Sequence, residues 1–273
     1  GLDLNANLEV ASDANVSGSA TIGSTADAAT TNGKAIAKST SDIITGADLL
    51  EGLVDIGGIG SIAGQANFDL SASSSNVEGK SNAVSSADTS TGLIGKETTN
   101  PEGTFGIDVA SDSGLSGMAI GSLTADASST AGIATAIAGK GDEAIGARLP
   151  SLNVGGISDL TGAAQLDSSA TASNVGADTF NATALAGQDQ SVIGLTTGPG
   201  GTFDSPSPAA PGTENGVLAP NFGAFNIDVA SDSNITAQGF SNRDASATST
   251  SGDSTANAGD ATSSVTGIAS GMD

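Results

Sequence analysis

Apolar and polar positions alternate along the chain in short runs. The triplets Leu8-Glu9-Val10, Phe68-Asp69-Leu70, Ile107-Asp108-Val109 and Ile227-Asp228-Val229 share one pattern. Strict alternation places one set of side chains in a core and the other in water, as in a half-buried strand. A turn signal rich in Ser, Asp, Asn and Gly follows most of them. A second alternating run comes next. Val16, Gly18, Ala20, Ile22, Ala26 and Ala28 share one face, and Leu115, Gly117, Ala119, Gly121, Leu123, Ala125 and Ala127 are their counterparts. A third run has a short apolar centre, as at Ala35–Ala37, Leu93–Ile94, Ile133–Ile137, Val192–Ile193 and Val265–Ile268. The pattern predicts an all-β chain of repeated antiparallel three-stranded units, packed like a β-sandwich, with an irregular β-solenoid as the alternative. Ser, Thr, Gly and Asp disfavour long helices, so helix is expected only in short pieces near Ala47–Leu53 and Asp142–Arg148.

Internal repetition organises the chain. The segment Ala11–Gly18 returns as Ala72–Gly79, Ala110–Gly117, Ala170–Ala177 and Ala230–Ala237. A second type of segment, Leu53–Gly64, resembles Leu152–Gly162. The order reads A–B–A–B–A, which divides the chain into a first repeat pair (residues 1–100), a second (101–198) and a final A-type repeat (222–273). The stretch between them, 199–221, is rich in Pro and Gly and reads as a linker or long loop, because Pro removes a donor and cannot sit inside a sheet. The spacing of the copies is uneven. It does not divide into coils of one length, which sets a parallel β-helix behind the antiparallel reading.

Composition then narrows the chemistry. The chain has no Cys, His, Trp or Tyr. That removes the imidazole base, the thiol nucleophile and the usual zinc, copper and iron ligands, so no enzymatic activity is expected. The net charge is −23, and Lys34, Lys38, Lys80, Lys96, Lys140, Arg148 and Arg243 are scattered, which disfavours nucleic acid and anionic membranes as partners. Apolar runs are far shorter than the ~18–20 residues that span a bilayer. The patterned apolar residues argue against disorder. The sequence opens on Gly1 and not on Met, which points to a removed leader and a secreted, extracellular or cell-surface protein.

Few residues stand out as sites. Leu2, Leu4, Ala6, Leu8 and Val10 would share one face of an N-terminal strand able to complete a neighbour's sheet. Asp13, Asp108, Asp112, Asp228 and Asp232 lie at or near repeat turns and are the candidates for Ca²⁺. Turn capping competes with that reading and is favoured, since no D-x-D-x-D-G loop is present; no other cofactor is expected. Asn15, Asn181 and Asn234 head glycosylation sequons. Gly57-Gly58 and Gly155-Gly156 read as tight bends, not phosphate loops. Lys34, Lys38 and Lys140 flank apolar strands as edge charges. The acidic, cysteine-free, Ala/Gly/Ser/Thr/Asp-rich repetition resembles bacterial surface fibres and adhesin repeats. The resemblance implies a structural subunit of an extracellular filament, sheath or surface layer, with itself as partner through inter-subunit strand pairing or donation. The alternative is a monomeric adhesin or carbohydrate-binding module whose partners are surface glycans.

Overall fold

The computed structural model describes residues 1–3, 8–10, 14–48, 54–56, 60–94, 107–109, 113–148, 152–154, 158–176, 178–196, 227–229, 234–259 and 264–269. A short strand β1 (Leu2–Asp3) precedes five stacked coils. Coil one holds β2 (Leu8–Val10) and β3 (Ala14–Asp48); coil two holds β4 (Val54–Ile56) and β5 (Gly60–Ile94). Coil three holds β6 (Ile107–Val109), β7 (Ser113–Ala131), β8 (Ala134–Lys140) and β9 (Glu143–Arg148). Coil four holds β10 (Leu152–Val154), β11 (Ser158–Asn174), β12 (Ala182–Gln188) and β13 (Ser191–Thr196). Coil five holds β14 (Ile227–Val229), β15 (Asn234–Ser249), β16 (Ser254–Ala258) and β17 (Ser264–Ala269).

Every strand pair among the described residues is parallel. This overturns the antiparallel units expected from the sequence, while the solenoid alternative is compatible with it. The reason lies in where the hydrogen bonds go. Each coil runs out along one arm, turns at a tip and returns, but the two arms face each other through side chains. Ser74 on the outgoing arm of coil two touches Ser81 on its return arm, hydroxyl to hydroxyl. The main chain bonds instead to the next coil, as where Ser81 N–H donates to the Ile133 carbonyl (2.8 Å) and Ala134 N–H to the Asn181 carbonyl (3.1 Å). The expected helix at Asp142–Arg148 is also corrected: Glu143–Arg148 forms β9, in register with Thr89–Ile94 below and Ser191–Thr196 above.

The register also resets the repeat. Leu8, Val54, Ile107, Leu152 and Ile227 form one column, and Val16, Ile62, Leu115, Leu160 and Ile235 form another. The segments read as two types therefore occupy one position in successive coils. Ala72 and Ala170 sit further along the arm, in the column of Ala26, Ala125 and Ala245. The Pro-rich stretch 199–221 lies outside the described residues.

Inward columns explain how so little apolar bulk closes a core. In coil two Ile62, Gly64, Ala66, Phe68, Leu70 and Ala72 are buried in strict alternation. One glycine column runs through Gly18, Gly64, Gly117 and Gly162 on the outgoing arms. On the return arms Gly46, Gly92, Gly146 and Gly194 form a second. The two interleave main chain against main chain. A Cβ on Gly64 would overlap the Gly92 carbonyl, one on Gly117 the Gly146 carbonyl, and one on Gly162 the Gly194 carbonyl. Deeper in, Phe68 occupies the space that a Cβ on Gly121 would need in the coil above. Alanine fills most of the rest of the interior.

At the tips the chain reverses at Gly33 and Gly79, both with positive φ. Inward polar side chains take up corner carbonyls of the coil below: Asn76 donates to Gly33 O (2.8 Å), Ser129 to Gly79 O (3.2 Å), and Asn174 to Gly132 O. Buried carbonyls left without donors would each cost about 1–3 kcal/mol.

The glycine columns predict an asymmetry among substitutions. Gly64→Val forces main chain apart and is expected to abolish cooperative thermal unfolding, a loss of several kcal/mol. Gly23→Ser, at an outward position with open space around it, is expected to shift the melting temperature by no more than a few degrees. Circular dichroism melts of the two variants make the comparison.

Candidate functional site: the open ends and a buried polar seam

A solenoid has two ends, and among the described residues each leaves a row of main-chain groups without a strand beside it. At the first end, among the described residues, β3 carries only β1 on its outer side, over Ala47–Asp48. At the last end, among the described residues, β15, β16 and β17 each pair on one side only. Interior columns open to water at both ends. Ala119 is fully buried in the middle of its column, whereas Ala20 in the first coil is only half-buried. All five residues of β16 are exposed, although β12 beneath it alternates buried and half-buried. Val265 of the last coil is 46 % exposed although Val192, its register partner beneath, is fully buried.

Inside the stack a polar seam climbs from coil two to coil five. Two related turns create it: Gly139-Lys140-Gly141-Asp142 in coil three and Gly187-Gln188-Asp189-Gln190 in coil four, where Gly139, Gly141, Gly187 and Asp189 all take positive φ. These turns swing Asp142 and Gln190 inward. The Asp142 carboxylate accepts from Ser86 Oγ (2.9 Å) and from the Ala87 N–H (2.6 Å), and the Gln190 side chain bonds it as well. Gln190 Nε2 donates to Ser168 Oγ (2.6 Å), and Arg243 Nε donates down to Gln190 Oε1 (3.3 Å). Gly139 and Gly187 make room: a Cβ on either would overlap Gln190 or the Arg243 stem. Burial pushes the Asp142 carboxyl up to about 6 against the pull of these hydrogen bonds. Desolvation also raises Glu143, partly offset by Arg148. This seam escaped the sequence reading; its one signal was the related turn at 139–142 and 187–190.

The residues singled out from sequence are distributed as follows. Leu2 lies in β1 beside Ala47, and Leu8 and Val10 lie in β2 beside Val54 and Ile56; Leu4 and Ala6 fall outside the described residues. Asp108 and Asp228 share a column with Asn153 between them, while Asp13, Asp112 and Asp232 fall outside the described residues. No group of three or more carboxylates that could hold a metal ion occurs among the described residues. Asn15 is exposed and accepts from Ser61 Oγ. Asn181 accepts from the Asp253 N–H (3.1 Å), and Asn234 opens β15. Lys34, Lys38 and Lys140 are exposed. On the outer face of coils one to three a shallow groove of about 250 Å³ is lined by Ser17, Ser19, Gln65, Ser116 and Met118 over the glycine column. It offers hydroxyls and an amide but no charge. No described helix is long and apolar enough to cross a membrane. No protein-family model, curated protein or solved structure matches the chain.

The seam predicts an unusual pH response. A carboxyl raised by folding favours the fold most when protonated, so its stabilising contribution is full at low pH and is lost as pH rises through about 6. Between those limits Asp142 accounts for on the order of 2–3 kcal/mol. Wild-type melting temperature should therefore rise between pH 7.5 and pH 5. Asp142→Asn should melt higher at pH 7.5 and show a flatter profile; an unchanged slope would contradict the assignment.

Proposed function

We propose that this chain is a structural subunit of an extracellular filament, sheath or surface layer that assembles through strand pairing at its coil ends. The observation that carries this reading is the pair of parallel edges left open, among the described residues, at the two ends of the stack. Natural sheet proteins blunt such edges with charges, prolines or covering segments. Among the described residues, β15 and β16 carry a single inward charge, Arg243, which turns down onto Gln190, and otherwise present Ala245, Ala247, Ala256 and Ala258 at inward positions. The outward face suits a hydrated fibre. Its columns hold Ser, Thr, Asn and Asp, as at Thr25–Ser71–Thr124–Ser169, and the net charge of −23 keeps separate fibres apart. Secretion fits the same picture and stands with it as part of the proposal.

A second reading, a surface adhesin that binds neutral glycans, draws on the groove of hydroxyls and the Gln65 amide. The groove lacks the aromatic platforms that sugars favour, which places assembly first.

Negative-stain electron microscopy and fibre diffraction of the purified chain distinguish the two. Assembly predicts filaments with a meridional reflection near ~4.8 Å, the spacing of hydrogen-bonded strands. Dispersed monomers at every pH and salt tested, together with glycan binding, would favour the adhesin.

A further inference from the structure

We infer that copies join head to tail in one register, with coil five of one molecule stacked on coil one of the next so that Asp253 lies beside Lys34. This rests on the assembly reading and specifies its joint. The register follows from the columns. Lys34 heads a column that continues through Lys80, Ile133 and Asn181 to Asp253, because Ala35, Ser81, Ala134, Ala182 and Ser254 are paired in sequence just beyond it. Within the chain each coil donates from this row to the carbonyl of the column residue above, ending with Ala182 N–H on the Asp253 carbonyl (3.0 Å). One further step has Ser254 donate to Lys34 of the second copy.

The same step matches chemistry along both arms. Ile235 meets Val16, Gly239 meets Ala20, Ala245 meets Ala26, Ala247 meets Ala28, and Val265 meets Ile44, inward against inward. On the outward face Asp244 meets Thr25 and Ser246 meets Asp27. Arg243 points down to Gln190, away from the joint. The acidic column Glu9, Asp55, Asp108, Asn153 and Asp228 would bring Asp228 beside Glu9, a like pairing the chain already tolerates between Asp55 and Asp108. Lys34 and Asp253 are the opposite charges that the step makes adjacent, and Lys34 otherwise stands next to Lys80.

One element stands in the way. Leu2 and Asp3 of β1 already occupy the outer side of Ala47 and Asp48. Those are the places that Ile268 and Ala269 of the incoming β17 would take, since Ile268 belongs to the column of Leu195, Ala147, Leu93 and Ala47. Gly1 repeats the glycine of the return arm there, packed on the Thr45 and Gly46 carbonyls. β1 is thus a two-residue plug over the end of the joint.

The test measures the critical concentration for assembly by sedimentation at about 0.15 M salt, where the ~8 Å screening length damps the overall repulsion more than a neighbouring pair. Lys34→Asp and Asp253→Lys each place like charges across the joint and should raise the critical concentration about fivefold. The double variant should restore it. Both sites are exposed, and an acid at position 34 would sit favourably beside Lys80, so folding is expected to hold and circular dichroism checks it. Deleting Gly1–Asp3 should lower the critical concentration. Polymers indifferent to both reversals, or reversals that the double variant does not rescue, would overturn the register while leaving assembly intact. Wild-type chains that never polymerise would overturn both, and a rise after the deletion would overturn the plug.

Discussion

The close approach of the two arms at the glycine columns is the constraint on which the rest of the structure depends. Where Gly64 meets Gly92 and Gly117 meets Gly146, no side chain fits between the main chains. That contact sets how closely the arms approach at the base of the coil. It explains why Ala suffices at most inward positions, and why Phe68 is accommodated only because Gly121 above it has no side chain. A thin alanine interior buries little apolar area per residue. The chain offsets this with repetition: each inner coil pairs on both sides, and like residues stack on like, as in the column Ala26, Ala72, Ala125, Ala170 and Ala245.

Much of the local structure was legible from the sequence. The alternating faces at Val16–Ala28 and Leu115–Ala127 are the inward faces observed, and the triplets at Leu8–Val10, Ile107–Val109 and Ile227–Val229 are strands. Strand direction was not legible. Alternation specifies a half-buried face and says nothing of whether the partner is the next segment in the chain or its equivalent one coil away. Runs that are close in sequence suggest hairpins, but here neighbouring runs face each other across the interior and bond elsewhere.

The repeat itself misled in phase. Ala72–Gly79 and Ala170–Ala177 resemble Ala11–Gly18 because every arm is built from Ser, Ala and Asn at alternating positions. The true equivalents of 14–18 are 60–64 and 158–162. Coil spacing varies mainly in the connection from a return arm to the next coil, short after β9 and long after β13, while the coils themselves differ by only a few residues. Uneven spacing is therefore a property of the connections and not of the stack. The buried seam was hidden for a different reason. Asp142 carries no signal of burial in its own composition; its position follows from glycines with positive φ on either side of Lys140, whose effect depends on which way the turn swings.

These features share one premise, that equivalent residues of successive coils are immediate neighbours. Paired nitroxide labels test it most directly, and the absence of native Cys makes labelling clean. Thr25 and Ser71 are outward register partners in coils one and two. Labels placed there should show strong dipolar broadening, as expected for adjacent strands ~5 Å apart. Sharp, non-interacting spectra would place these residues far apart and contradict the parallel stack.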